Sequence, residues 1–529
     1  MYIDIVPNRN SPPAVLLRES YREGGTVKKR TLANLSRLPG NVIEAVRASL
    51  RGPVGALEQL ISGPIYGVVF VLWSLAQHCG LVRVLGASKL GKLVLFLVLA
   101  RIAHHGSRLS AIRWMSDHAV SHILKLNAFD ENDLYAALDW ASTPQRAIED
   151  RLYHDYCRHR GRPPTLMLYD VTSSYLEGEE NALGEYGYNR DGKKGKKQIV
   201  IGLLTGDDGE PLSIEVFRGN TTDPVTFHNQ IHKVIERLGV QDITFVGDRG
   251  MIKSKAKTAL TDVGLSYITA LTDPQVRRLI KEEVIQPDLF AETVAEVEYQ
   301  DKRLILRRDP ATFQKEQHRR EDKIQQLARL IQARNAFVAQ SKRAQPKAGL
   351  KNLEAWAKRH KLNAFITLSL EENVIRLQID DSAKKENGLL DGCYCLESDV
   401  STDKLNAQTI HDRYKDLQMV EQNFRSLKTS LLEIRPIFVR TEEHTRGHVF
   451  IAMLSLKIIR LMEQRLRDTF GTTDKNPEAE TVDSALEALS RITLNYFETE
   501  GQRIPILLRP DTRQQHLLSA LQVTLQPPA

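Results

Sequence analysis

Along this chain the pattern of apolar and polar positions changes character several times, and each change marks a boundary between elements. The first forty residues alternate around Glu23-Gly24-Gly25, the pattern of a small β-hairpin. From Gly40 to Arg160 the apolar spacing becomes helical, in IEAVRASL, LVRVLGASKLGKLVLFLVLARI and SRLSAIRWMSDHAV. Pro163-Pro164 closes that region. TLMLYDV, QIVIGLLT and LSIEVFRG then read as three strands joined by polar turns, as in an antiparallel meander. DPVTFHNQIHKVIERLG follows as a helix with Asp223 at its N-cap and Gly239 at its end. ITFVGD is a fourth strand, SKAKTALTDVG a helix and LSYITAL a fifth strand. The order βββαβαβ predicts an α/β fold, a mixed sheet with helices packed on it.

The regular pattern breaks near Thr272. AETVAEVEYQ, KRLILRR and NVIRLQID are strand-like, and a basic helix runs from about Gln314 to Gln340 with Ile324, Leu327, Ile331 and Val338 on one side. A domain inserted into the core is expected there. The expected organisation is a β-hairpin unit (1–40), a helical DNA-binding domain (41–160), a first core segment (161–271), a basic α+β insertion (272–404), a second core segment (405–470) and a helical C-terminal region (471–529).

Charge sharpens this picture. The net charge is +7, yet Asp301 to His360 holds 16 Lys and Arg against 6 Asp and Glu, a local excess of ten that suits a polyanion surface. Four cysteines (Cys79, Cys157, Cys393 and Cys395) are too few for a disulfide scaffold, so a reducing cytoplasm is expected. The uncharged stretch from Gln59 to Val82 contains Pro64, Gln77 and His78, and reads as a buried helix rather than a membrane span. No signal peptide is expected from the opening residues.

The candidate chemistry lies in three acids. Asp170 and Asp248 end apolar, strand-like runs. Glu421 lies in YKDLQMVEQNFRSLK with Tyr414 and Lys428 seven residues to either side, which on one helix would put all three on one face. Carboxylates of this kind suit two Mg²⁺ ions roughly 4 Å apart and phosphodiester chemistry. Tyr414, Lys428 and Arg425 would hold neighbouring phosphates, with Arg249 and Arg413 as further DNA contacts. Asn220, in GNTTDP, lies near the expected rim of the sheet. His444 and His448 have metal-pair spacing without the glutamate of HExxH, so structural or phosphate-contacting roles are preferred. His154, Cys157 and His159 lack a partner cluster for zinc. Trp356 reads as a helix-core residue, and no glycine-rich segment has a Walker pattern.

Taken together, YDVTSSYLEG, QIVIGLL, VFRGNTTDPVTF, FVGDRGM and YKDLQMVEQNFRSLKTSLLEIRPIF resemble bacterial insertion-sequence DDE transposases of the group with the signature Y-x2-R-x3-E-x6-K. SYREGGTVKKRTL and RTEEHTRGHVFIAMLSL resemble one branch of that group. The resemblance implies an RNase H-like core with a β-containing insertion, and Asp170, Asp248 and Glu421 as the metal-binding triad. It implies a Mg²⁺-dependent enzyme, Mn²⁺ substituting, that binds the terminal inverted repeats of its element. Such an enzyme would free 3′-hydroxyl ends and join them to target DNA, working as a homodimer on paired ends. The signature arginine is Leu417 here, so its phosphate contact must come from elsewhere, with Arg425 and Arg413 as candidates. A nuclease without strand transfer and a non-catalytic DNA-binding protein are the alternatives.

Overall fold

The computed structural model describes residues 1–8, 12–51, 60–238, 243–341, 344–429, 431–474, 476–499 and 502–527. The chain divides into two compact units, one of Met1–Pro164, Leu168–Val240 and Gln418–Ala529, the other of Thr165–Met167 and Gln241–Leu417.

The larger unit opens with an antiparallel sheet of β1 (Tyr2–Val6), β2 (Ala14–Glu23) and β3 (Thr26–Asn34). Gly24 and Gly25, at φ 59° and 81°, make the two-residue turn between β2 and β3, a left-handed backbone that glycine adopts without strain. The expected hairpin is there, with β1 added as a third strand. After α1 (Gly40–Arg51) and β4 (Leu60–Ile61) come α2 (Gly67–His78), α3 (Leu81–Leu85), α4 (Lys89–Ala103), α5 (Arg108–Ser116), α6 (Val120–Leu124), α7 (Glu131–Ser142) and α8 (Gln145–Arg160). Helices α2 and α4 are apolar on almost every side and buried accordingly. Among the described residues no single helix is long and apolar enough to cross a membrane. Strands β5 (Leu166–Tyr175), β6 (Gln198–Gly206) and β7 (Pro211–Arg218) follow, then α9 (Asp223–Leu238). The β6–β7 pair is antiparallel, as the meander reading expects.

In the smaller unit, β8 (Thr244–Gly247), α10 (Ser254–Asp262) and β9 (Ser266–Ala270) form a parallel β-α-β step. Thr244 N–H donates to the carbonyl of Thr165 at 3.0 Å, so the segment leading into β5 runs beside the start of β8. Next come α11 (Asp273–Lys281), β10 (Ala295–Tyr299), β11 (Lys302–Arg308), α12 (Pro310–Gln340), α13 (Pro346–Arg359), β12 (Ile366–Glu371), β13 (Val374–Ile379), α14 (Asp381–Asn387), β14 (Cys393–Ser398) and α15 (Ala407–Lys415). The segment 272–404 is not wholly separate from the sheet. Strand β14 pairs with β9 and β11 with β14, giving the order β10-β11-β14-β9-β8. The β14–β9 pairing joins residues more than a hundred positions apart, which local alternation does not encode. Helices α12, α13 and the β12–β13 hairpin close around one core, with Ile324, Leu327, Ile331, Leu353 and Phe365, while Val276, Leu279, Phe290, Leu304, Leu306 and Cys395 form another beside the sheet.

The larger unit resumes with α16 (Leu417–Lys428), α17 (Glu442–Phe470), α18 (Val482–Ser490), β15 (Leu494–Thr499), β16 (Gln502–Leu507) and α19 (Thr512–Ala520). Helix α17 is the axis of this unit and packs on α2, α4, α7 and β7. Where it meets α7, a Cβ on Gly447 would lie 2.2 Å from the carbonyl oxygen of Leu138, so the two backbones approach to a distance only glycine permits. The helical segment 41–160 is thus built into the larger unit. The C-terminal region is not all helical. β15 pairs with β16 and β4, and Phe497, Ile504 and Ile506 pack against Leu17 and Leu35.

Candidate functional site

Asp170 does not end its strand, as the apolar run had suggested. It is the fifth residue of β5, half-buried between fully buried Tyr169 and Val171, because Thr172 to Tyr175 continue the extended run. A carboxylate held in so apolar a strand is costly to keep ionised without compensating partners.

Glu421 is exposed on α16. That helix is anchored by its other side, where Val420, Asn423, Phe424 and Leu427 are buried. Asn423 donates to the carbonyl of Gly209 in the β6–β7 turn at 2.9 Å and accepts from Arg460 of α17 at 2.8 Å. Arg425, one turn after Glu421, is also exposed, and Lys428 follows on the same side. Tyr414 does not share that helix. The single helix expected from the spacing is split at Asp416, and Tyr414 lies on α15. The side chain of Asp416 takes an ion pair from Arg413 at 3.2 Å.

The ammonium of Lys428 is held by Asp191 at 2.8 Å, and Arg435 donates to the same carboxylate oxygen. The side chain of Asp191 is only 1% exposed, and its second oxygen accepts the backbone N–H of Tyr175. Burial holds the Lys428 ammonium below its ordinary value although Asp191 opposes the shift. Asp191 was missed in the sequence because RDGKKGKK looks like a polar turn. The loop is pinned, however. Arg190 N–H donates to Ser173 Oγ at 2.8 Å, and its guanidinium grips both oxygens of Asp223 at 2.8 and 2.9 Å.

In the smaller unit Asp248 directly follows β8, as expected, and is exposed. Its Oδ1 accepts the N–H of Arg249 at 2.7 Å. Asp248, Arg249, Asp273, Tyr394 and Tyr414 line one cavity of about 200 Å³. Tyr394 hydrogen-bonds to His411 Nε2, and His411 Nδ1 meets Asp412 at 2.8 Å, which braces α15 one turn before Tyr414. Burial pushes the Tyr394 hydroxyl up to about 12 and the His411 imidazole down, so both are neutral at pH 7. Arg249 and Tyr394 also line a second cavity of about 640 Å³ with Arg277, Arg319, Lys323 and Lys361. Two of these cations, Arg319 and Lys323, come from the basic helix α12.

Asn220 is exposed between β7 and α9. His444 pairs with Asp139 at 3.0 Å. His448 lines a cavity together with Arg101, Arg108 and Arg435. Its ring is buried, Nδ1 accepts from Arg101 at 3.2 Å and Nε2 donates to the carbonyl of Ile434 at 3.3 Å. His154 and His159 each bond a backbone carbonyl of their own helix through Nδ1. Trp356 packs against the α12–α13 core, with its ring tilted against that of His360 at 3.9 Å between centroids. Asp170 and Glu421 belong to one unit and Asp248 to the other. Among the described residues no group of three or more His, Cys, Asp or Glu gathers as a metal site.

A family model described as "Transposase DDE domain" matches residues 161–458, and one described as "IS1634 family transposase, N-terminal domain" matches residues 3–55. No curated protein matches the chain. Among solved structures, a piggyBac transposase synaptic complex with hairpin DNA is 10% identical, with 75% of this chain and 69% of that one covered at a TM-score of 0.38. A Mos1 transposase paired-end complex with the left transposon end is 9% identical, with 34% and 58% covered and a TM-score of 0.15.

Proposed function

This chain belongs to the DDE-domain transposases of insertion sequences, and from that premise we propose that Asp170, Asp248 and Glu421 are its catalytic acids. It is a DNA transposase, an enzyme of DNA cleavage and rejoining, and its family implies use of a divalent cation. The core is RNase H-like, and the three carboxylates are all hard oxygen donors that fit Mg²⁺, with Mn²⁺ as a substitute. When bound, a pair of such ions supplies a more acidic attacking oxygen and charge stabilisation at the leaving one. Water attacks the phosphorus at each end of the element, the P–O3′ bond breaks, and the element keeps a 3′-hydroxyl. That hydroxyl then attacks a phosphodiester of target DNA and displaces a target 3′-oxygen.

Around this step Tyr414, Arg249 and Arg413 contact DNA from the smaller unit, and Arg425, Lys428 and Asn220 from the larger. Arg425 is exposed one turn from Glu421, which favours it over Arg413 to replace the arginine lost at Leu417. The basic helix α12 clamps the DNA backbone, and helices of the segment 41–160 help to read the inverted repeats. Two ends are joined in one event, so the working form is a homodimer on paired ends, acting in the cytoplasm on nucleoid DNA.

The observation that carries this reading is the setting of the acids. Asp170 is fixed in a buried strand, Asp248 opens a cavity shared with Arg249 and Tyr414, and Glu421 faces outward on an anchored helix. The test is a strand-transfer assay with inverted-repeat ends and a plasmid target. Asp170→Asn, Asp248→Asn and Glu421→Gln should each lower joined product by roughly 10³-fold or more while leaving DNA binding intact. Cleavage without any joined product, or activity that survives these substitutions, would overturn the proposal.

A further inference from the structure

We propose that a cavity of about 460 Å³ in the larger unit, lined by Arg101, Arg108 and Arg435, is a binding site for a phosphodiester of the DNA strand that passes α16. The cavity lies where the C-terminal end of α4 and the start of α5 meet α7 and the segment after α16.

Its charge is poorly compensated from within the protein. Among the described residues neither Arg101 nor Arg108 has a carboxylate within ion-pairing distance, although Glu131 and Glu433 line the same cavity. Arg101 hydrogen-bonds the carbonyl of Leu432 at 2.6 Å and the ring of His448 at 3.2 Å. Both partners are neutral, because burial and the nearby arginines keep His448 unprotonated. Burial, reinforced by the charge of Arg108 and only partly opposed by that of Glu433, pulls the Arg101 guanidinium down to about 10. Arg108 lies over the ring of Tyr135 at 4.7 Å, and its buried Nε has no acceptor among the described residues. Half-buried cations, and above all a buried donor without an acceptor such as Arg108 Nε, are costly unless an anion completes them. A phosphate oxygen supplies both charge and acceptor, and guanidinium matches it in a forked geometry.

The strand that would supply it follows from the neighbouring residues. Arg435 lines the cavity and shares Asp191 with Lys428. Lys428 is seven residues beyond Glu421, about 10 Å along a helix rising ~1.5 Å per residue. A DNA strand advances ~3.4 Å per nucleotide, so a strand held at Glu421 reaches Lys428 roughly three nucleotides away. The inference rests on the reading of DNA as partner, and adds a position for its backbone that none of the signature residues occupies.

The test uses the full chain, a fluorescent duplex oligonucleotide and inorganic phosphate. Arg108→Gln should weaken duplex binding roughly tenfold and lower the slope of log affinity against log salt by about 0.9. Arg376→Ala, at an exposed ion pair on β13, should change neither. Phosphate should raise the Tm of the wild-type protein and not that of Arg108→Gln. Unchanged affinity and slope in Arg108→Gln would overturn the proposal. So would a phosphate effect that depends on Arg108 while duplex binding does not, since that marks a site for free anions only. Should Arg108→Gln fold poorly, Arg108→Lys keeps the charge and loses the fork. Binding should then weaken with the salt slope unchanged, and wild-type affinity would reject the site. If the wild-type protein binds no duplex, the DNA reading itself fails, and the phosphate shift still judges the cavity separately.

Discussion

Asp191 is the residue on which two cations of the larger unit depend. Removing its carboxylate leaves the largely buried Lys428 ammonium and the half-buried Arg435 guanidinium without a counter-charge among the described residues. Breaking a buried pair from one side costs about 3–5 kcal/mol, so Asp191→Ala should lose stability of that order in urea unfolding. An unchanged midpoint would show that the three charges contribute nothing to stability. His448 predicts a pH dependence of definite sign. Burial first, then Arg101 and Arg108, hold its pKa well below the ordinary value in the folded chain. The unfolded chain binds its proton near pH ~6.5, so stability present above that pH is lost as the pH falls below it. Between pH 7.5 and pH 5.5 the wild-type Tm should therefore drop further than that of His448→Gln. Equal drops would mean that another group governs the loss.

At the scale of elements, two anchors decide where the acids stand. Gly447 lets α17 and α7 meet backbone to backbone, and any side chain there must push the helices apart. Gly447→Val should cost about 1–3 kcal/mol by overpacking, read as a lowered unfolding midpoint. Asn423 ties α16 to the β6–β7 turn and to α17. Asn423→Ala leaves a buried carbonyl and Arg460 short of a partner, at about 1–3 kcal/mol. It should reduce DNA cleavage more than DNA binding, because the helix that loosens carries Glu421. Loss of both in equal proportion would argue for general unfolding. The elements themselves were largely legible. Strands β5 to β9 and helices α9 and α10 fall close to where alternation predicts them, since that pattern is local. Strand β5 runs on to Tyr175, however, Asp223 is the first residue of α9 rather than its cap, and Gly239 lies outside the described residues. The break at Asp416 was not legible, because its backbone is nearly helical (φ −60°, ψ −17°) and no proline or glycine announces it.

At the scale of the whole molecule, the basic run from Asp301 to His360 acts through its distribution rather than its sum. Arg319 and Lys323 of α12 line the 640 Å³ cavity that also includes Arg249, the neighbour of Asp248. Replacing both with Gln should weaken duplex binding nearly uniformly across sequences. It should also flatten the salt dependence by about 0.9 for each phosphate that the protein no longer neutralises. A change confined to one sequence would point to base reading instead. The smaller unit carries Asp248 and Tyr414, the larger Asp170, Glu421 and Lys428, so the candidate catalytic residues are divided between two compact bodies.

Sequence alone determined what depends on neighbours along the chain: the order of elements from β5 to β9, the buried apolar helices and the basic segment. Residues within a few positions of one another set periodicity, caps and turns, and these leave a mark in the string. Tertiary structure alone decided that β14 joins β9, that the C-terminal hairpin pairs with β4, and that Asp191 holds Lys428 and Arg435. It also gathered Arg101, Arg108 and Arg435 around one cavity. Each of these joins groups far apart in the chain through burial and electrostatics, which act across space and carry no local period.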